Sequence, residues 1–402
     1  MIDETSILRQ RLDGAQRWAL LLGAGGTVAA LAGAFLSEAG AERFFRAYLV
    51  AYIFWAGLAL GCLALLMLHH LVGGSWSFPL QRPLTAGART LPLAALFFLP
   101  ILSRLEDLYR WARPAAVQVD PILQEKALYL NVPFFLGRAA FYFLVWIGLA
   151  LIISRFAYGT DRASDEERQS RLARYAQRLS GPGLLLYVLT ATFAAVDWVM
   201  SLEPHWYSSI YGLLYVGRQV LGALALVLAL LGLFHRRPPL SGLLTDRVVK
   251  DLGNLLLAAL ISWSYLYFVQ YLVIWQANIP EEAVWFVRRT SGGWQWVALL
   301  IGLLHFVLPF ALLLLQQGRR EMAQLAAIGV LLLVMRLVDT FWLVMPAFHP
   351  AALSLHWLDA ILPLALGGWW AALYVWQLKR HPLLPYNHPK FKTLVERYGT
   401  TG

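Results

Sequence analysis

Long apolar stretches alternate with short polar connections along the whole chain, and ten of the stretches are long enough to cross about 30 Å of hydrocarbon as helices. They run Trp18–Leu36, Phe44–Val72, Leu91–Leu105, Pro133–Ser154, Pro182–Met200, Ile210–Phe234, Leu252–Trp275, Trp294–Leu315, Leu325–Met345 and Leu355–Leu378. Lipid leaves no water to satisfy open backbone groups, so the pattern predicts an all-α integral membrane protein with ten transmembrane helices. The third stretch is short and carries Pro92 and Pro100, which predicts a tilt or kink. The first follows Arg9, Arg11 and Arg17, but its apolar run is too long for a signal core and reads as a retained anchor.

Composition agrees: 59% of the 402 residues are hydrophobic and 14% charged, which excludes an ordinary soluble domain. Basic residues then set an orientation. The N-terminal segment, the even-numbered connections and the tail hold 22 Lys or Arg, against 8 on the odd-numbered side when residues at helix margins are counted with the nearer connection. Both termini are therefore expected on the cytoplasmic side. The net charge of +10 reads as an inner face turned toward anionic lipid, not as a nucleic-acid surface. The single cysteine, Cys62, can form no internal disulfide and belongs to no metal-binding cluster, so any redox metal is expected in a partner.

The chain also echoes itself. The fifth helix ends V-D-W-V-M-S-L-E-P-H and the ninth V-D-T-F-W-L-V-M-P-A-F-H, four helices apart, and Asn131-Val-Pro133 and Asn278-Ile-Pro280 follow the third and seventh. The second and sixth helices both carry a Tyr near the outer end, Tyr52 and Tyr215. An even offset preserves orientation, so the expected organisation is two parallel four-helix bundles. Residues 1–43 hold the N-terminal segment and helix one, 44–200 helices two to five, 201–345 helices six to nine, and 346–402 helix ten and the tail. Each Asn-x-Pro site taken alone is explained by turn chemistry.

Ionised groups inside a bilayer are kept in pairs, in cavities or along ion paths. With this orientation Asp197, Glu203, His205, Arg218, Arg336, Asp339, His356 and Asp359 fall in the outer half. Arg336 and Asp339 stand three apart and can pair on one helix face, while Arg218 must find an acid on a neighbour, with Asp197 as the candidate. Glu203 and His205 are expected at the water boundary, where protons enter or leave. The inner half offers His69, His70, His305, Ser264, Tyr267 and Gln270. His69 and His70 point about 100° apart, so one of them is expected to face the bundle. Two readings fit these groups: proton-carrying half-channels, or ion pairs and interhelical hydrogen bonds that hold the bundle together. The internal histidines lie at mismatched depths, which argues against a bis-His haem. The stretch Asp161–Arg178, rich in both charge signs, is expected as a surface helix, and Gly73 to Pro83 as an interfacial loop.

The strings FWAGLALGCLALLMLHHLVGG, DPILQEKALYLNVPFF, DWVMSLEPHWYSSIYG, SYLYFVQYLVIWQANIPEE, GGWQWVALLIGLLHF, RLVDTFWLVMPAF and HWLDAILPLALGGWW, in this order, resemble the NrfD-like (polysulfide reductase) membrane subunits of alternative complex III. Such a complex holds two of them, and the length and the tail LKRHPLLPYNHPKFK are more similar to the smaller than to the larger. The resemblance implies a bacterial cytoplasmic-membrane complex of respiratory or photosynthetic electron transport that oxidises menaquinol or ubiquinol. In that complex the electrons travel through iron–sulfur and multihaem cytochrome subunits. This chain, beside its larger NrfD-like homologue and lipids, is then concerned with quinone and protons. The expectation drawn from the resemblance is a non-haem membrane component whose outer acids and inner His and hydroxyl groups form two proton half-channels. A scaffold that docks the larger homologue and a stand-alone transporter are the alternatives.

Overall fold

The structure, a computed structural model, describes residues 4–35, 40–163, 165–236, 240, 242–315, 321–382, 384 and 391. Most of the tail motif lies outside the described residues. Among the described residues there is no strand, and ten helices are long and apolar enough to cross a membrane: α1 (Glu4–Phe35), α2 (Gly40–Val72), α3 (Phe78–Leu102), α4 (Val132–Arg162), α5 (Glu166–Trp198), α6 (Tyr211–Phe234), α7 (Asp246–Ala277), α8 (Trp294–Leu315), α9 (Met322–Val344) and α10 (Leu358–Lys379). The chain is an all-α, multi-pass membrane protein. An even number of passes puts the start of α1 and the end of α10 on one face, called here the terminal face; the opposite face is the far face.

Helix α2 is the axis of the packing. It touches α1, α3, α5, α6, α9 and α10, and 94% of its most apolar window is buried, against 22% for α1, α7 and α8. Small residues make this enclosure possible. A Cβ on Gly61 would run into the Gln219 carbonyl of α6, and Gly23 of α1 and Gly368 of α10 lie backbone to backbone. Without water to drive helices together, such close approach supplies the dispersion contact that holds them.

The helix pairings repeat at a four-helix offset: α2 packs on α3 and α5, and α4 on α5, as α6 packs on α7 and α9, and α8 on α9. Both α5 and α9 end in a 3₁₀ turn, Met200–Leu202 and Met345–Ala347. The Asn-x-Pro sites do not correspond. Asn131 caps α4 by accepting from the Phe134 amide at 2.9 Å, whereas Asn278 ends α7 with φ of 50° and leads into a short helix, Pro280–Arg289, on the far face. Turn chemistry accounts for both.

Two local expectations are corrected. The segment from Phe78 is not an interfacial loop. Phe78–Ala88 is a fully buried helix whose Pro79 falls in the first turn, where no donor is needed, and it forms the first half of α3, broken at Arg89 and Thr90. Its charged residue, Arg82, is paired with Asp161 of α4, so burial is compensated. The charged stretch after Asp161 is not a separate surface helix either. Asp165 accepts from the Arg168 amide at 2.6 Å and starts α5, which then continues unbroken into the membrane.

The packing of α2 on α6 predicts that Gly61→Val forces the two helices apart at a cost of about 1–3 kcal/mol. It should lower the thermal midpoint of the purified protein and its folded yield. Gly137→Ala, where a Cβ meets open space, should change neither.

Candidate functional site

Three carboxylates organise the far half of the bundle, and each is closed by arginine. Asp197 sits one residue from the end of α5, fully buried, and accepts hydrogen bonds from Arg138 Nε (2.9 Å), Arg138 Nη2 (2.8 Å) and the Tyr142 hydroxyl (2.9 Å). Both partners come from the first turns of α4, which packs along α5 and brings them to the depth of Asp197. The Arg138 guanidinium also donates to the Tyr129 carbonyl and lies 3.8 Å from the Tyr129 ring centroid. A two-toothed contact of this kind is the strongest ion-pair geometry a guanidinium makes.

The expected Arg218–Asp197 pair therefore does not form. Arg218 is on α6, α6 packs against α9, and the acid at its depth is Asp339, reached at 3.2 Å from Nε and 3.3 Å from Nη2. Arg336 does pair with Asp339 along α9, at 2.5 Å, and its Nε donates to the Arg218 carbonyl. Two guanidiniums thus share one buried carboxylate, a net positive cluster inside the membrane-spanning bundle. The Tyr267 ring lies 5.5 Å from the Arg218 guanidinium carbon, where its electron-rich face offsets part of that charge.

Glu203 is not exposed at the water boundary. It is buried between Arg288 (2.9 Å) and Arg289 (2.7 Å) of the short helix Pro280–Arg289. Arg289 also donates to the Leu343 carbonyl and stacks 3.7 Å over Trp285, and Trp285 stacks on Trp206. This knot ties the α5–α6 and α7–α8 connections to the end of α9. His205, by contrast, is substantially exposed and contacts Asp120 at 2.9 Å. Partial burial alone would raise Asp120, but the Leu123 amide, His205 and the Ile122 amide outweigh it and hold the carboxyl below its usual range. His356 and Asp359 close a local cap at the start of α10: Asp359 accepts from the His356 amide at 2.8 Å, and the His356 ring from the Leu358 amide.

The six groups expected in the inner half are spread over the thickness of the protein. His69 and His70 are both buried at the terminal end of α2, with ring centroids 4.9 Å apart, because the first half of α3 folds over them and Ser77 meets the His69 ring at 2.7 Å. Tyr267 and Gln270 belong to the far half, since Tyr267 lies by Arg218 and Gln270 accepts from Ser208 of the α5–α6 connection at 2.6 Å. Ser264 is half-buried and donates to the Ile261 carbonyl of its own helix.

His305 is the exception among the histidines. It sits mid-membrane on a π-helical segment of α8, Ile301–Val307, fully buried against Trp263 at 4.4 Å between ring centroids. Among the described residues neither of its ring nitrogens has a hydrogen-bond partner. An unpaired buried imidazole is costly, and π-segments gather at functional positions. Beside it lies a cavity of about 540 Å³ between α7, α8 and the Pro280–Arg289 helix, walled by Trp263, Tyr267, Tyr271, Phe286, Phe306 and Trp342, with Ser264 and Thr290 as polar points. A pocket of this size and lining takes a flat, largely apolar molecule with few polar atoms. Among the described residues no three His, Cys, Asp or Glu side chains gather as metal ligands would.

Sequence reasoning missed Arg138, Tyr142, Arg288 and Arg289. Arg138 is a cation inside an apolar run, and that was the available signal. The arginines of Pro280–Arg289 read as ordinary charges of a connection.

The Arg138–Asp197 pair predicts non-additive stability. Arg138→Met or Asp197→Leu alone should cost about 3–5 kcal/mol by stranding the other charge, while the double replacement should recover most of the loss in thermal unfolding. No protein-family model matches the chain, and no curated protein matches it.

Proposed function

We propose that this chain is a non-haem membrane component of a quinol-oxidising electron-transfer complex, handling quinone and protons in the far half of its second bundle. The observation that carries the reading is the aromatic cavity, whose wall residue Tyr267 also borders the buried Arg218–Asp339–Arg336 cluster, and whose wall residue Trp263 packs against His305. Oxidation of a quinol releases two electrons and two protons. A quinol ring suits an aromatic pocket, and its protons need acceptors that exchange without stranding charge. Among the described residues both His305 nitrogens are unpaired, so its neutral ring can relay a proton, accepting at one nitrogen while releasing from the other, and the Arg–Asp–Arg cluster holds the neighbourhood positive, favouring proton release from the quinol hydroxyls. Electrons would leave to iron–sulfur and multihaem cytochrome partners, as the resemblance to NrfD-like proteins implies. The corresponding setting is a bacterial cytoplasmic membrane with both termini inside.

A second reading, a scaffold that docks a homologous NrfD-like membrane protein, is favoured by the closure of Asp197, Glu203 and Asp339 in ion pairs. Such pairs lock helices whether or not protons move.

In the assembled complex, His305→Leu and Tyr267→Phe should leave the set of partner chains and the haem content unchanged. His305→Leu should reduce quinol turnover by roughly 10²-fold, the scale of a lost proton acceptor, and Tyr267→Phe should raise the quinol KM. Asp339→Asn should lower the proton-to-electron ratio. Full turnover and an unchanged ratio in all three would overturn the catalytic reading in favour of the scaffold. Recovery of the chain alone, without haem absorbance or partner chains, after mild-detergent purification would overturn both.

A further inference from the structure

On the terminal face, a second cavity of about 750 Å³ lies where α4 ends, α5 begins and α10 leaves the bundle. Five of its lining residues are arginines, Arg89, Arg155, Arg162, Arg168 and Arg380, and among the described residues no carboxylate lines it. Of the acids close by in sequence, Asp161 is paired with the buried Arg82 beneath the floor, and Asp165 caps α5. None of the five makes an ion pair among the described residues, in contrast to Arg138, Arg218, Arg289 and Arg336 of the far half. The floor is built and not merely basic. His381 lies flat on Tyr158, with ring centroids 3.4 Å apart and planes 11° apart, and the Arg82 and Arg89 guanidiniums sit 5.2 and 5.6 Å from the same Tyr158 ring. Arg82 is 2% exposed, and its Nε and Nη1 have no hydrogen-bond partner among the described residues. Arg89 is held in place by Gln377 at 3.0 Å.

So many like charges converging without a counter-ion need an anion to supply one. Burial, together with Arg82, Arg162, Arg89 and Arg380, pushes the His381 imidazole down to about 4. The ring is therefore neutral at physiological pH, and the field that depresses it is the field an anion would meet. The apolar part of the pocket says what else the anion carries. Leu151 and Phe156 line it, and Leu144, Leu151 and Arg155 follow one another along a single face of α4, with Leu144 and Leu151 exposed. That face leads from the arginines straight into the hydrocarbon depth of the helix.

The geometry points to a binding site for an anionic phospholipid, its phosphate among Arg155, Arg162, Arg168 and Arg380 and its acyl chains along α4. A doubly charged headgroup such as that of cardiolipin matches the number of guanidiniums better than a singly charged one. The site is on the opposite face from the aromatic cavity and does not depend on the function proposed for it.

The test uses the full chain in detergent, titrated with tetraoleoyl cardiolipin, dioleoyl phosphatidylcholine or inorganic phosphate, and read by native mass spectrometry and thermal unfolding. Cardiolipin should remain bound and raise the midpoint, and phosphatidylcholine should do neither. Arg155→Gln with Arg162→Gln should weaken cardiolipin binding by roughly fivefold per arginine, while Arg171→Gln, an exposed arginine outside the cavity, should not. Equal retention of cardiolipin by the double variant and the native chain would overturn the site, as would equal binding of phosphatidylcholine. Stabilisation by inorganic phosphate equal to that by cardiolipin would overturn the lipid assignment in favour of a soluble anion. Should the double variant fail to fold, the comparison of the three ligands on the native chain decides between these outcomes.

Discussion

Everything in this molecule depends on the near-complete enclosure of α2. A helix with almost no lipid-facing side must be approached from all directions, and in a bilayer that approach is held by contact, not by expulsion of water. Alanine and glycine along α2, above all Gly61, set the distance to α6, and that distance sets where α9 stands, since α9 packs on α6. The α1–α10 pair, joined through Gly23 and Gly368, closes the remaining side. The buried arginines and acids are then placed to within a hydrogen bond by a scaffold made of apolar and small residues.

Charge inside this scaffold follows a consistent rule with one informative departure. Asp197 and Glu203 meet their arginines through well-formed hydrogen bonds, which makes them fasteners between helices and connections. Asp339 is shared by two arginines and leaves the cluster positive, next to the aromatic cavity and His305. Charge-balanced or tightly capped carboxylates thus stand at the helix ends, and the cluster with excess positive charge stands at membrane depth.

The two cavities are opposites in the same sense. One is aromatic, at membrane depth, with a few polar atoms; the other is a guanidinium-lined mouth on the terminal face. An uncompensated positive surface beside an apolar helix face is where an anionic bilayer gains most, so the second cavity bears on how the protein sits in its membrane as well as on what it binds.

The sequence by itself determined the class and the number of spans, though not the bounds of the third, because the cost of an open backbone in lipid makes apolar run length a strong signal. It also determined the Arg336–Asp339 pair, since three residues on one helix need no tertiary knowledge. The tertiary structure decided the rest of the charge pairing. Whether Arg218 meets Asp197 or Asp339, or Asp197 meets Arg138, depends on which helices are neighbours, and hydropathy is silent on that. It also decided that Phe78–Ala88 is buried helix and that Glu203 is sealed, because both result from other segments folding over them. His305 stood out in the sequence only as a histidine in an apolar run. Its unpaired nitrogens, its π-segment and the cavity beside it exist only once α7 and α8 are set against each other.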